Sequence, residues 1–196
     1  MAKLIFLIVF LNIFLTPLFL CMKKLSMDEL NRLNIEQFHN APKSPVILIL
    51  DNIRSLFNIG SVFRTADAFR IEKIYLCGIT GTPPHREIQK SALGSTKSVD
   101  WEYYKNSIDI IKKLKNENVK IIAVEQTDNS VYLNKYHPSP DKKAYIFGNE
   151  ISGVSDDILP LTELCLEIPQ FGTKHSFNVA VSAGIVLWHD FLHSYT

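Results

Sequence analysis

Three separated segments carry polar side chains at points where an apolar run gives way to a turn or helix. They are Leu50–Arg64 (LDNIRSLFNIGSVFR), Ile146–Gly153 (IFGNEISG) and Ile168–Asn178 (IPQFGTKHSFN). In an open α/β sheet, ligands lie beyond the carboxyl ends of the strands, where Asp51, Asn52 and Asn58 would fall. Glycines such as Gly148 let backbone approach a ligand closely. Ser176 and Asn178 precede a long apolar stretch, where the free N–H groups of a starting helix can meet polar ligand atoms. Arg64 carries a planar, permanently charged guanidinium, suited to a phosphate. Each feature also has an ordinary reading: a turn for the glycine segment, an N-cap for Ser176, and a surface ion pair of Arg64 with Asp67.

The elements that must position these residues follow from hydropathy patterning. The uninterrupted apolar run 46–50 reads as a strand buried on both faces, 119–124 and 144–147 as further buried strands, 73–77 and 164–168 as strands, and Trp101–Tyr104 as a shorter one. Helices are expected over Met27–Phe38, Leu56–Phe69, Arg86–Leu93 and Ser107–Glu117, with Pro42 and Pro45 marking a linker. Ser155 and Asp156 are expected to cap a short helix ending before Pro160. Phe177, Val181, Gly184, Trp188, Phe191 and Tyr195 recur in steps of four and three, widened by Ile185 and Leu192, which predicts a final helix with an a/d-type seam. Strands alternating with helices imply a mostly parallel sheet covered on both faces.

At 196 residues, 46% hydrophobic and 21% charged, the chain can bury a core without staples. Of 21 basic residues only Lys3 precedes Lys23, and the remainder balance 20 acidic ones, so bulk positive charge cannot supply phosphate affinity. A local patch of Arg54, Arg64, Arg70, Lys73, Arg86, Lys90 and Lys97 is the candidate, set against an ordinary solvated surface. Cys21, Cys77 and Cys165 are odd in number and widely spaced, fitting neither a disulfide framework nor a zinc site, and suit a reducing compartment. No metal cluster or nucleophilic cysteine arrangement is legible.

Together, in this order and at these separations, the three segments resemble the signature motifs of SpoU-type (TrmH-like) RNA 2′-O-ribose methyltransferases of the SPOUT class. The resemblance runs from about Val46 to near the C-terminus. It implies an α/β fold with a C-terminal trefoil knot, S-adenosyl-L-methionine as cofactor, and methylation of a ribose hydroxyl in tRNA or rRNA. Carried over residue by residue, it makes Arg64 the catalytic arginine, with Asn58, Glu150 and Asn178 supporting it. Val124, Glu125, Gly148, Ile168 and Ser176 become cofactor contacts. Arg64 would act either as an unusual neutral base or by holding a substrate phosphate, and guanidinium chemistry favours the phosphate. The family also implies a homodimer that uses the C-terminal helix region. Phe177 stands where leucine is commoner, and Ala180 where serine is frequent; both keep the helix surface apolar or small. The competing function is an RNA-binding protein of the same fold without catalysis, against which the full set of site residues speaks.

Residues 1–21 do not fit this picture. Leu4–Cys21 is nearly continuous apolar sequence flanked by Lys3 and Lys23–Lys24, as in a signal peptide or short membrane anchor. For an enzyme of cytoplasmic RNA, the expectation is instead translation from Met22 or Met27, with the run a spurious extension and no membrane partner unless it is retained. Residues 22–45 then form a short helix and linker, and 46–196 the methyltransferase domain. A 22–45 segment too short for a separate RNA-recognition domain tilts the expected substrate toward tRNA.

Overall fold

The computed structural model describes residues 22–26 and 28–194; the apolar run Leu4–Cys21, Met27 and the seam's Tyr195 lie outside them. The chain divides into a unit up to Leu33 and a second from Asn34 onward. In the first unit, Asp28–Asn31 forms a turn, with Leu30 N donating to Ser26 O at 3.2 Å.

The helix expected over Met27–Phe38 starts later and is shorter. In the second unit α1 spans Ile35–Asn40, because Asn34 and Gln37 form a reciprocal capping box. Asn34 Oδ1 accepts from Gln37 N at 2.8 Å, and Gln37 Oε1 from Asn34 N at 2.9 Å. Leu30 and Leu33 therefore lie outside any helical stripe, and Phe38 alone of the three is buried.

Strands β1 (Ser44–Asp51), β2 (Ile71–Cys77), β3 (Trp101–Tyr104), β4 (Lys120–Val124), β5 (Val131–Tyr132), β6 (Lys143–Phe147) and β7 (Leu164–Glu167) form one sheet. All pairings are parallel, in the order β3-β2-β1-β6-β4-β7-β5. Helices α2 (Leu56–Ala68), α3 (Arg86–Ala92), α4 (Ser107–Asn116) and α5 (Val179–Ser194) complete it. β1 is apolar from Val46 to Leu50 because alternate side chains enter different cores. Val46, Leu48 and Leu50 join Ile59 and Phe63 of α2 and Ala183 and Val186 of α5. Ile47 and Ile49 join Ile110, Ile111 and Leu114 of α4. Pro45 belongs to β1 rather than to a linker; it sits near the strand's start, where the register with β2 shifts between Ser44 and Ile47. β5 was not legible because two residues carry no period.

The helix expected after Ser155 is replaced by a turn and a 3-10 helix, Leu159–Leu161, that contains Pro160. The cap is missing because Ser155 Oγ donates to Asp51 Oδ2 at 2.7 Å instead of accepting from its own segment.

The strand order decides where the three polar segments go. β6 enters between β1 and β4, and β7 between β4 and β5. The carboxyl ends of four neighbouring strands therefore lie side by side, with Leu50 opposite Phe147, Ala123 opposite Ile146 and Val124 opposite Leu166.

Helix α5 starts at Val179, so Phe177 precedes it. Its buried face is Val179, Ala183, Val186, Leu187 and Asp190, whereas Val181, Trp188 and Leu192 of the expected seam are roughly half exposed. The seam is thus a second apolar face, crossing α2 where Gly184 meets Thr65. Asp190 is fully enclosed and accepts from Lys143 Nζ at 3.1 Å and Tyr145 Oη at 2.6 Å. Lys143, itself buried, also donates to Ser139 O at 2.6 Å. This pair ties α5 to β6 in the middle of the sheet. Removing one partner strands the other charge, so Asp190→Ala is expected to cost about 3–5 kcal/mol, read as a shift of the urea midpoint. A shift near zero would show that the pair does not hold the helix.

Candidate active site

A cavity of about 480 Å³ opens where these strand ends converge. It is lined by residues 124–126 after β4, 147–153 after β6, 166–168 at the end of β7, and 175–179 leading into α5. Val124, Glu125, Gly148, Ile168 and Ser176 all line it, as do Glu150 and Asn178.

Gly148 is required by its own chain. A Cβ there would lie 2.1 Å from the carbonyl carbon of Gly153 and 2.1 Å from Val154 N. The loop folds back through paired backbone bonds of 2.9 Å between Asn149 and Gly153. Gly153 has a φ of +71°, and a Cβ on it would strike the Glu125 carboxylate at 2.2 Å. Glu125 in turn accepts from Val154 N at 2.9 Å and Gln126 N at 2.8 Å. The cavity wall is therefore backbone held by side chains.

The three segments meet through one chain of hydrogen bonds. Asn178 Nδ2 donates to Asn58 Oδ1 at 3.0 Å, and Asn58 Nδ2 donates to Glu150 Oε1 at 3.1 Å. Glu150 also accepts the N–H groups of Arg54 and Ser55 at 2.9 and 3.0 Å. Asn178 Oδ1 accepts from Ala180 N at 2.9 Å, so Asn178, and not Ser176, caps α5. Ser176 is left exposed on the cavity lining. Asn58 is buried behind the cavity, joined to it by its two partners.

Arg64 is not brought to this cavity. It is exposed on α2, and its side chain makes no hydrogen bond or ion pair among the described residues. The pairing considered with Asp67 does not form; Asp67 accepts from Ser98 Oγ. The wider basic patch is partly neutralised, since Lys73 pairs with Glu102 at 2.9 Å and Lys90 with Glu87 at 2.8 Å.

Glu167, to which no motif pointed, completes the wall with Gln126 of the 124–126 strand end. Glu167 lines it and accepts from Ser130 Oγ at 2.7 Å, while Gln126 Nε2 donates to His175 O at 2.8 Å across from β4 to the last segment. Their only sequence signal was proximity to a strand end. Among the described residues the lining includes Glu125, Glu150, Glu167 and His175, and neither lysine nor arginine. Elsewhere, burial pushes the Cys77 thiol up to about 12, against a smaller opposing effect of the Ser107 hydroxyl, so it is no nucleophile. Among the described residues no cluster could hold a metal ion, and no helix is long and apolar enough to cross a membrane.

A parallel α/β sheet with a backbone-walled, acidic cavity at its carboxyl edge defines a class of ligand-binding domain, and comparison with known proteins narrows it. The chain belongs to the SpoU rRNA Methylase family, whose profile matches residues 45–188. It is 32% identical over 159 residues to the 23S rRNA (guanosine-2′-O-)-methyltransferase RlmB of Neisseria meningitidis, covering 80% of this chain and 62% of that protein. It is 26% identical to a tRNA (guanosine(18)-2′-O)-methyltransferase of Borreliella burgdorferi, covering 85% and 75%. Its fold matches the crystal structure of an AdoMet-bound rRNA methyltransferase from Sinorhizobium meliloti with a TM-score of 0.71 at 26% identity, covering 80% of this chain and 60% of that one.

Burial works against the charge of Glu150, but the N–H groups of Arg54 and Ser55, with the Asn58 amide, outweigh it and hold its pKa below the ordinary 4.5. A depressed carboxylate stabilises the fold fully above its unfolded value, and that contribution is lost as pH falls through the native one. Glu150→Gln is therefore expected to lower stability at neutral pH by about 1 kcal/mol, a modest value because solvent screens the group. The gap between wild type and variant in urea unfolding should close in acid below the carboxylate range; a gap that persists there contradicts the assignment.

Proposed function

We propose that this chain transfers a methyl group from S-adenosyl-L-methionine to a ribose 2′-hydroxyl of tRNA or rRNA, working as a cytoplasmic homodimer. The observation that carries this reading is the Asn178–Asn58–Glu150 chain, which joins all three polar segments beside the cavity. The activities named for the Neisseria and Borreliella relatives and the donor named in the Sinorhizobium structure support it.

The cavity suits this donor on charge. Among the described residues the lining holds three glutamates against one histidine, with no lysine or arginine, a balance that disfavours a phosphate-bearing nucleotide and favours a cation. Bound there, the donor supplies an electrophilic methyl on a positively charged sulfur. Val124, Gly148 and Ile168 would hold it largely by backbone, Ser176 by its exposed hydroxyl, and Glu125 through the loop it fixes. This arrangement, with β6 and β7 inserted among earlier strands, also supports the trefoil knot expected of the C-terminal region.

Glu150 is committed to three donors, so it organises the site and does not act as the base. The ribose hydroxyl needs a group to take its proton. A guanidinium is a poor base, and Arg64 has no acidic partner among the described residues, so it is available to hold an RNA phosphate whose oxygen accepts that proton.

Thr65, the residue after Arg64 on α2, meets Gly184 where α2 crosses α5, and α5 carries the exposed apolar face. There Trp188 stacks on Phe191 at 5.6 Å, with Phe69 6.4 Å from Trp188. In the homodimer proposed here a second copy covers that face, and Arg64 serves the partner's cavity rather than its own.

Arg64→Lys is expected to leave donor affinity by calorimetry within about twofold while lowering RNA methylation at least about a hundredfold, because the phosphate clamp acts on the reaction and not on the donor. Near-normal turnover would refute the role. Wild-type protein that binds RNA without methylating any would support the non-catalytic alternative.

A further inference from the structure

Asp51 is a carboxylate 1% exposed at the end of β1, and it is absent from the cavity lining. No cation among the described residues pairs with it. A buried, unpaired carboxylate is costly unless hydrogen bonds compensate it, and those bonds run to the donor loop. Asp51 Oδ2 accepts from Ser155 Oγ at 2.7 Å and, at longer range, from Ser155 N at 3.4 Å. Oδ1 accepts from Ser107 Oγ at the start of α4 and from Asn52 Nδ2 at 3.0 Å. The carbonyl of neighbouring Asn52 accepts from Asn149 Nδ2 at 2.7 Å. Asp51 at the end of β1 and Asn52 just beyond it thus hold both ends of the loop 149–155, while Glu125 takes Val154 N between them.

We propose, building on the methyl-donor reading above, that Asp51 is a positioning residue which sets the shape of the donor pocket through Ser155. It touches neither the pocket nor the 50–64 segment's link to Glu150, so its loss acts on donor affinity and not on the chemical step. Ser107 shares the carboxylate but leads to α4, away from the loop. It provides the matching control.

Ser155→Ala is expected to weaken calorimetric binding of S-adenosyl-L-methionine about tenfold, the value of one hydrogen bond to a buried carboxylate. Amide exchange at Gly153–Ser155 should quicken in the ligand-free chain, with the KM for RNA unchanged. Ser155→Thr, which keeps the hydroxyl, should restore both properties. Ser107→Ala should lower thermal stability while leaving donor affinity as in the wild type. The proposal is overturned if Ser155→Ala binds the donor normally, or if Ser107→Ala weakens it equally. Wild-type protein that binds no donor would overturn the functional reading and this proposal with it, whereas wild-type binding alongside unaltered Ser155→Ala overturns this proposal alone.

Discussion

A carboxylate that accepts backbone N–H groups from a segment 96 residues earlier in the chain holds this site together. Glu150 lies on a loop after β6, yet the start of α2 is formed around it: Arg54 N, Ser55 N and the Asn58 amide all point at its oxygens. Free N–H groups ahead of a helix need an acceptor, and an anion there also meets the favourable end of the helix dipole. Asn58, fixed on one side by Glu150, presents its carbonyl oxygen to Asn178, and Asn178 caps α5. The carboxylate therefore orients two helices as well as the cavity wall. With every oxygen engaged, it is a structural anchor.

That arrangement depends on strand order. In a parallel sheet every carboxyl end falls on one edge, and inserting β6 beside β1 puts the loops after Leu50 and Phe147 next to each other. The same insertion carries Lys143 into the centre of the sheet, where Asp190 of the last helix meets it. One pair sits toward the amino end of β6 and the other beyond its carboxyl end. Between them they fix α5 relative to the strand whose loop forms the cavity.

Charge then separates the two halves of the proposed reaction. The cavity is acidic and suits a cationic donor, whereas the exposed arginine on α2 suits a polyanionic acceptor. Within one subunit Arg64 lies apart from Glu125, Glu150 and Glu167, and its side chain makes no ion pair among the described residues.

The buried strands and the helices α2 to α5 were legible because burial on two faces leaves apolar runs, and helices leave a three-to-four residue period. Caps were less so: Asn34 moved the start of α1, and Asn178 displaced Ser176 at α5, since several polar residues near a helix start compete and packing chooses among them. The exposed seam of α5 was legible as apolar but not as outward-facing, because both sides of that helix are apolar. By itself the sequence determined the element types, the three polar segments and the residues able to do chemistry in them, all of which depend on local composition and order. Only the tertiary structure decided that Asn58 bridges Glu150 and Asn178, that Ser155 serves Asp51, and that Arg64 stands apart from the cavity. Those are distances between atoms far apart along the chain, set by the order in which strands enter the sheet, and no local pattern encodes them.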